Sequence, residues 1–273
     1  MPFIYPNGGV MNRAFFPVAM MVLSIVAGCE KQAPKASPTD EANSGSINAK
    51  IPTPPKPPYT EKEWRRDFLS SFNASKQKSD GDGVSTYSAC FEPIGDKCNL
   101  SMSGKRDGFR KVDHLTPVMT AWQEFQVKYP NKGRTAAFVD LRVVARQCGE
   151  AVVVLNPTLN ARKWIFMNRI GFMAEGDVVY EQEAPPQGVK RDVDDDRVWE
   201  GWSFKLERED YTKLNQFALA KEKVIRLSGE KGYFTLEKGA VEVFAKDIQE
   251  AVKVANIVNE SLGKGGGPAC SSL

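Results

Sequence analysis

The chain has 273 residues, 41% hydrophobic and 26% charged, which is enough apolar material for a packed core and excludes a wholly disordered chain. Its 37 Lys and Arg stand against 34 Asp and Glu, so it lacks the basic excess that a nucleic-acid binder carries. A single histidine, His114, leaves little room for a nucleophilic triad or a histidine-rich metal centre.

Taken in chain order, residues 1–10 carry no positive side chain, and Met11 reads as the true start of an export signal. Arg13 supplies the charge, and the apolar run Ala14 to Val26 supplies the hydrophobic segment. That run contains Pro17 and is shorter than the ~20 apolar residues of a membrane-spanning helix. It ends in Val26-Ala27-Gly28-Cys29, two small residues and then a cysteine.

This segment resembles the lipobox of bacterial lipoproteins. The resemblance covers about the first 30 residues and implies removal of the signal peptide, residues 1–28. It also implies lipidation of Cys29 with two or three acyl chains, palmitate among them. One chain, at ~0.8 kcal/mol per buried methylene, would bind only marginally; several give a stable anchor. Glu30, in place of aspartate, resembles the sorting pattern of outer-membrane lipoproteins that face the periplasm.

Residues 29–60 are rich in Pro, Ala, Ser, Thr and Lys and hold few large apolar side chains, so they read as a disordered stalk. Its end, Ile51-Pro52-Thr53-Pro54-Pro55-Lys56-Pro57-Pro58, favours polyproline II. Such a spacer, at ~3 Å per residue, can hold a domain as far as ~90 Å from its lipid.

A single globular domain is expected over 61–262. Thr60 and Glu63 have the spacing of a capping box, and Trp64, Phe68, Leu69 and Phe72 predict an amphipathic helix over 61–76. A β-prone pair follows at 84–92 and 97–103. Thr116-Pro117 reads as an N-cap and first turn of a helix over 117–128. Valine-rich strands are expected at 135–146 and 150–155. A hairpin should turn at Glu175-Gly176, between strands at 164–172 and 177–180.

A loop is expected at 184–197, a strand near 199–206 and a helix opening at Asp210. A second hairpin turns through 229–232, and a final helix carries Phe244, Ile248, Ala251, Val252, Ala255, Val258 and Leu262 on one face, ending at Gly263. Hairpins clustered between terminal helices predict an α+β fold, an antiparallel β-sheet or sandwich with flanking N- and C-terminal helices. The tail 263–273 should be flexible unless Cys270 is bridged.

Behind Cys29 lie four more cysteines, an even count that favours disulfides in an exported chain. Pro93 and the turn pair Gly95-Asp96 favour Cys90–Cys98, which leaves Cys148–Cys270 to staple the tail.

The densest chemistry is the acidic run Asp192, Asp194, Asp195, Asp196, with Glu200 beyond it. Alternate aspartates resemble the opening of an EF-hand calcium loop, which makes Asp192, Asp194 and Asp196 candidate calcium ligands. Arg197 stands where that loop needs glycine and Ser203 where it needs glutamate, so a complete EF-hand is not expected. Trp199 and Trp202 could form a stacking platform or pack in the core. No catalytic motif and no cofactor site other than this calcium candidate is evident.

The chain therefore reads as a cell-envelope lipoprotein whose periplasmic domain binds or supports another envelope component, with the membrane as partner through its lipid and no nucleic acid. The alternatives are a periplasmic hydrolase using carboxylates of the 192–200 cluster and a calcium-stabilised adhesion module.

Overall fold

The structure, a computed structural model, describes residues 59–119, 123, 135–194, 196–263 and 270. Contacts divide the chain into Met1–Pro54 and Pro55–Leu273, and every described residue belongs to the second unit. The expected signal, Cys29 and the stalk up to residue 58 lie outside the described residues.

The fold is α+β, with antiparallel sheets flanked by an N-terminal and a C-terminal helix. Helix α1 (Glu61–Ser70) opens with the expected capping box: the Thr60 N–H donates to Glu63 Oε2 at 2.7 Å and the Glu63 N–H to the Thr60 hydroxyl at 3.2 Å. Trp64 and Phe68 are fully buried and stacked, and Phe72 beyond the helix carries the stack on to Tyr87. The helix stops six residues short of the expected 76. The Ser71 N–H and hydroxyl both donate back to the Phe68 carbonyl, and the chain then enters a strand, β1 (Asn73–Gly81).

The large sheet continues from β1 through β2 (Val84–Cys90), β5 (Ser101–Asp107), β6 (Val112–Pro117), β7 (Ala136–Arg146) and β8 (Ala151–Ala161) to β12 (Arg197–Gly201) and β11 (Lys190–Asp194). A short strand, β13 (Phe204–Lys205), also pairs with β8. Between β2 and β5 the chain makes a small ribbon, β3 (Pro93–Ile94) with β4 (Lys97–Cys98). The Cys90–Cys98 disulfide closes that ribbon. A second sheet, in the order β10 (Asp177–Glu183), β9 (Met167–Ala174), β14 (Lys223–Gly229), β15 (Gly232–Thr235), contains both expected hairpins.

Helices α2 (Arg208–Leu219) and α3 (Lys238–Ser261) pack on each other; α2 lies on β9 and β10, while α3 covers β7 and β8 and reaches β14. The odd-numbered residues of β7 and β8, such as Val143 and Val153, meet α3 in the core. Phe172, Phe217 and Phe244 bring the second sheet and both helices into one aromatic cluster. Each of these fully buried rings contributes about 1.5–3 kcal/mol. No helix among the described residues is long and apolar enough to cross a membrane.

Four further expectations change. Thr116 and Pro117 do not open a helix: they end β6, where Pro117 faces Met102 of β5. Gln123 is helical, and the rest of 120–128 lies outside the described residues. The loop expected at 184–197 contains β11. The strand expected at 199–206 is split into β12 and β13, because β8 presents Pro157, which has no N–H for a ladder, at the gap between them. Helix α2 opens at Arg208, two residues early, with Asp210 answering the Glu207 N–H as its capping partner.

The Cys148–Cys270 disulfide forms as expected and fastens residue 270 to the turn between β7 and β8. The Trp64 indole donates to the Gly149 carbonyl of the same turn at 3.0 Å.

Beneath α1, Asp113 is wholly buried and accepts from Arg65 Nη1 at 2.7 Å, from Tyr87 Oη at 2.9 Å and from Arg106 Nη1. Burial, with the Asp113 charge beside it, pushes the Tyr87 hydroxyl well above its usual range, so it stays a neutral donor. The Tyr87 ring lies across Gly104 on the neighbouring strand, where an added Cβ would stand 2.1 Å from a ring carbon. The ring cannot swing aside without losing Asp113. Gly104→Ala is therefore expected to cost about 1–3 kcal/mol, read as a lower denaturant midpoint at unchanged slope.

Candidate functional site

Strand alternation gives the large sheet a second face, turned away from α3. Across it, register sets Lys190 opposite Gly201, Gly201 opposite Thr158 and Thr158 opposite Phe138. The next row runs Asp192, Trp199, Asn160, Ala136. Between β12 and β13 the ladder is open at Pro157, and a cleft of about 650 Å³ forms there. That volume suits a small organic ligand.

Gly201 sits at the middle of the cleft. A Cβ there would stand 3.0 Å from the Pro157 carbonyl and 3.3 Å from Thr158 Oγ1, so an added side chain would press on β8. Arg142, Asn156, Thr158, Lys190, Asp192, Trp199 and Ser203 supply the walls. With the Asn156 amide turned to donate to Ser203 Oγ, its oxygen accepts from Arg142 Nη1 at 3.0 Å. Arg142 Nε and the Nε1 of buried Trp202, which also lines the cleft, have no hydrogen-bond partner.

Burial lowers the pKa of Arg142, yet a guanidinium stays charged at any physiological pH. His114 is on the same face two strands away; burial first, and then Arg142, lower its pKa, so it is a neutral side chain there.

The residues singled out from the sequence separate. Asp192 is exposed at the cleft, and its Oδ1 accepts from the Val193 N–H at 2.9 Å. Asp196 is exposed at the hairpin turn, 3.8 Å from Arg162. Asp195 and the side chain of Asp194 lie outside the described residues. Among the described residues no three His, Cys, Asp or Glu side chains converge as a metal site.

Glu200 points to the opposite face from Asp192 and is wholly buried. Its Oε1 accepts from the N–H groups of Ile165 at 2.8 Å and Phe166 at 3.2 Å, its Oε2 from Met167 at 2.6 Å, and Arg191 lies at 3.3 Å. Those amides turn together because Phe166 adopts a positive φ of 54°, and Arg191 and Lys231 lie over its ring. A carboxylate so fully engaged has no lone pair left to act as a general base. Trp202 packs in the core, while Trp199 is half-buried beside Phe138 at the cleft.

Arg142, Asn156, Thr158 and Lys190 are absent from the sequence-based candidates. The available signal was Asn156, Thr158 and Asn160 at every second position of a valine-rich strand, a polar face opposite the core. Comparison with protein-family models, with curated proteins and with solved structures found no match.

Proposed function

We propose that this chain is an exported lipoprotein, held on the bacterial cell envelope by lipid at Cys29, whose domain binds an envelope component in the cleft beside Gly201. The observation that carries the reading is the pairing of all four cysteines behind Cys29 into two disulfides, which persist only in an oxidising compartment. The lipobox supports the anchor, Glu30 supports an outer-membrane site facing the periplasm, and the proline-rich segment supplies a spacer.

The cleft supports binding rather than hydrolysis. Its exposed acid, Asp192, and the buried Glu200 lie on opposite faces of one hairpin, so they do not flank a common substrate. The calcium-stabilised alternative draws no support from Asp192 and Asp196, which are taken up by a backbone amide and by Arg162.

Intact mass of the membrane-extracted protein tests the anchor. The expected species begins at Cys29, carries two or three acyl chains, and exposes four alkylatable thiols only after reduction. An unlipidated mass, or thiols free from the outset, would overturn the assignment.

A further inference from the structure

We propose that the domain docks on the bilayer that carries its lipid, with Phe109 inserted among the phospholipid headgroups and Arg110 at their phosphates. This inference rests on the reading of Cys29 as the anchor and adds a second, direct contact with the membrane.

Register places the contact. Val84, Asp107, Val112 and Arg146 form one row across β2, β5, β6 and β7. The turns 81–83, 108–111 and 147–150 lie just beyond that row, at one end of the large sheet. The domain meets its stalk at the same end. Glu61, the first residue of α1, accepts from Lys111 Nζ at 2.8 Å and from Gln147 Nε2 at 3.1 Å. Lipid at Cys29, thirty residues before Tyr59, therefore tethers the domain by this end. A flexible tether of that length has an r.m.s. span of ~30 Å, which keeps these turns within reach of the bilayer.

Phe109 is built to face outward. It is 90% exposed, and among the described residues no other large exposed hydrophobic belongs to these three turns. Its turn is fastened on both sides: the Gly108 N–H donates to the Gly83 carbonyl and the Gln147 N–H to the Lys111 carbonyl, each at 2.9 Å. Within the turn, Asp107 Oδ1 accepts from the Arg110 N–H at 2.8 Å. The loop is thus ordered before the ring meets lipid, and insertion has little further entropy to lose.

One ring on a convex tip suits lipid better than protein. A stable protein interface buries about 800 Å² on each partner, far more than a lone phenylalanine supplies. A bilayer needs no matching pocket, since its chains close around whatever apolar group enters. Arg110 is 80% exposed beside the ring, and its contact with Asp107, at 3.7 Å and open to water, holds it only weakly against a lipid phosphate. Arg146 is exposed at the end of the same row, and exposed Asp82 in the neighbouring turn opposes it, so the ring rather than net charge drives the contact.

The test uses the full lipidated chain in vesicles of phosphatidylethanolamine and phosphatidylglycerol, with Phe109→Cys carrying an environment-sensitive nitrobenzoxadiazole label. Val193→Cys is the reference. Also apolar and 61% exposed, Val193 lies across Val198 from Ala161, ten residues along β8 from Ala151 and so ~33 Å from the turns. Emission at 109 is expected to rise severalfold and to be quenched by nitroxide-bearing lipid, while emission at 193 stays that of a label in water. Without any label, neutron reflectometry on a supported bilayer should find the native domain against the headgroups. Phe109→Ser should let it move outward by a distance of the order of the tether's ~30 Å span, and Arg110→Gln by less.

Melting curves, and one label per chain with both disulfides intact, confirm that the variants fold. A label at 109 as wet as that at 193 overturns the proposal. So does a domain whose height ignores Phe109→Ser, the result expected if the ring serves a protein partner instead. Intact mass of the same preparation is read separately. A lipidated chain with a wet label at 109 refutes the docking alone, whereas an unlipidated chain refutes the anchor and the docking with it.

Discussion

Asp113→Ala is expected to lower the melting temperature by about 10 °C, from a loss of roughly 3–5 kcal/mol in a domain of this size. The aspartate is fully buried, whereas the Arg65 and Arg106 side chains beside it are 25% and 17% exposed. Removing the carboxylate strands two guanidinium groups in a space that water reaches poorly, and orphans the Tyr87 hydroxyl. Burial lowers the pKa of Arg65 and Asp113 opposes that effect, so without its partner the guanidinium stays charged but poorly solvated. Asp113→Asn keeps the shape but turns an NH₂ towards donors, and should recover less than half of the loss. Arg65→Met in the Asp113→Ala background should restore about 1–2 kcal/mol, because one stranded charge is then gone. Additive losses in that double mutant, measured by urea unfolding, would refute the coupling.

Glu200→Ala is the second large effect, also about 3–5 kcal/mol. Its carboxylate answers three successive backbone N–H groups and Arg191, all of which lose their acceptor with it. Ile165 to Met167 is where the chain enters β9, so Glu200 on β12 fastens the second sheet to the large one. Glu200→Gln should cost about 2 kcal/mol despite its equal size, since its NH₂ must face the Met167 N–H or Arg191. Hydrogen exchange is the sharper readout: amides 165–167 should lose protection in Glu200→Ala while those of β7 and β8 keep theirs. Uniform loss of protection across both sheets would show that Glu200 holds the whole domain rather than this junction.

Neither role was legible in the sequence, where Glu200 stood only beside the acidic run, and the reason is distance along the chain. Asp113 meets an arginine 48 positions earlier, and Glu200 meets amides 33 to 35 positions earlier. A charged residue among apolar neighbours looks the same whether it faces solvent or such a partner. What could be read was local: the Thr60–Glu63 box, the turns at Glu175-Gly176 and 229–232, the apolar stripe of α3, and the Cys90–Cys98 ribbon.

β1 escaped because all nine of its residues are exposed, so no alternation of apolar side chains marks it. β11 alternates Lys190, Asp192 and Asp194 with Arg191 and Val193, a pattern easily mistaken for an acidic loop. The cleft draws side chains from β7, β8, β11, β12 and the segment before β13, and only the assembled register brings them together.

The β7–β8 turn also governs how the domain answers tension. The Trp64 indole and Cys270 both fasten there, one by a hydrogen bond and one covalently. A pull on the two ends of the domain therefore loads a single corner of the molecule. The bridge spans 122 positions, which at ~3.5 Å each withholds about 400 Å of contour length from any stretching force. Under oxidising conditions the stretch between α1 and Cys148, apart from the closed Cys90–Cys98 loop, can be drawn out, and it includes β1, β2, β5, β6 and β7. Of the cleft strands, β8, β11 and β12 lie inside the closed loop, while β7 lies outside it.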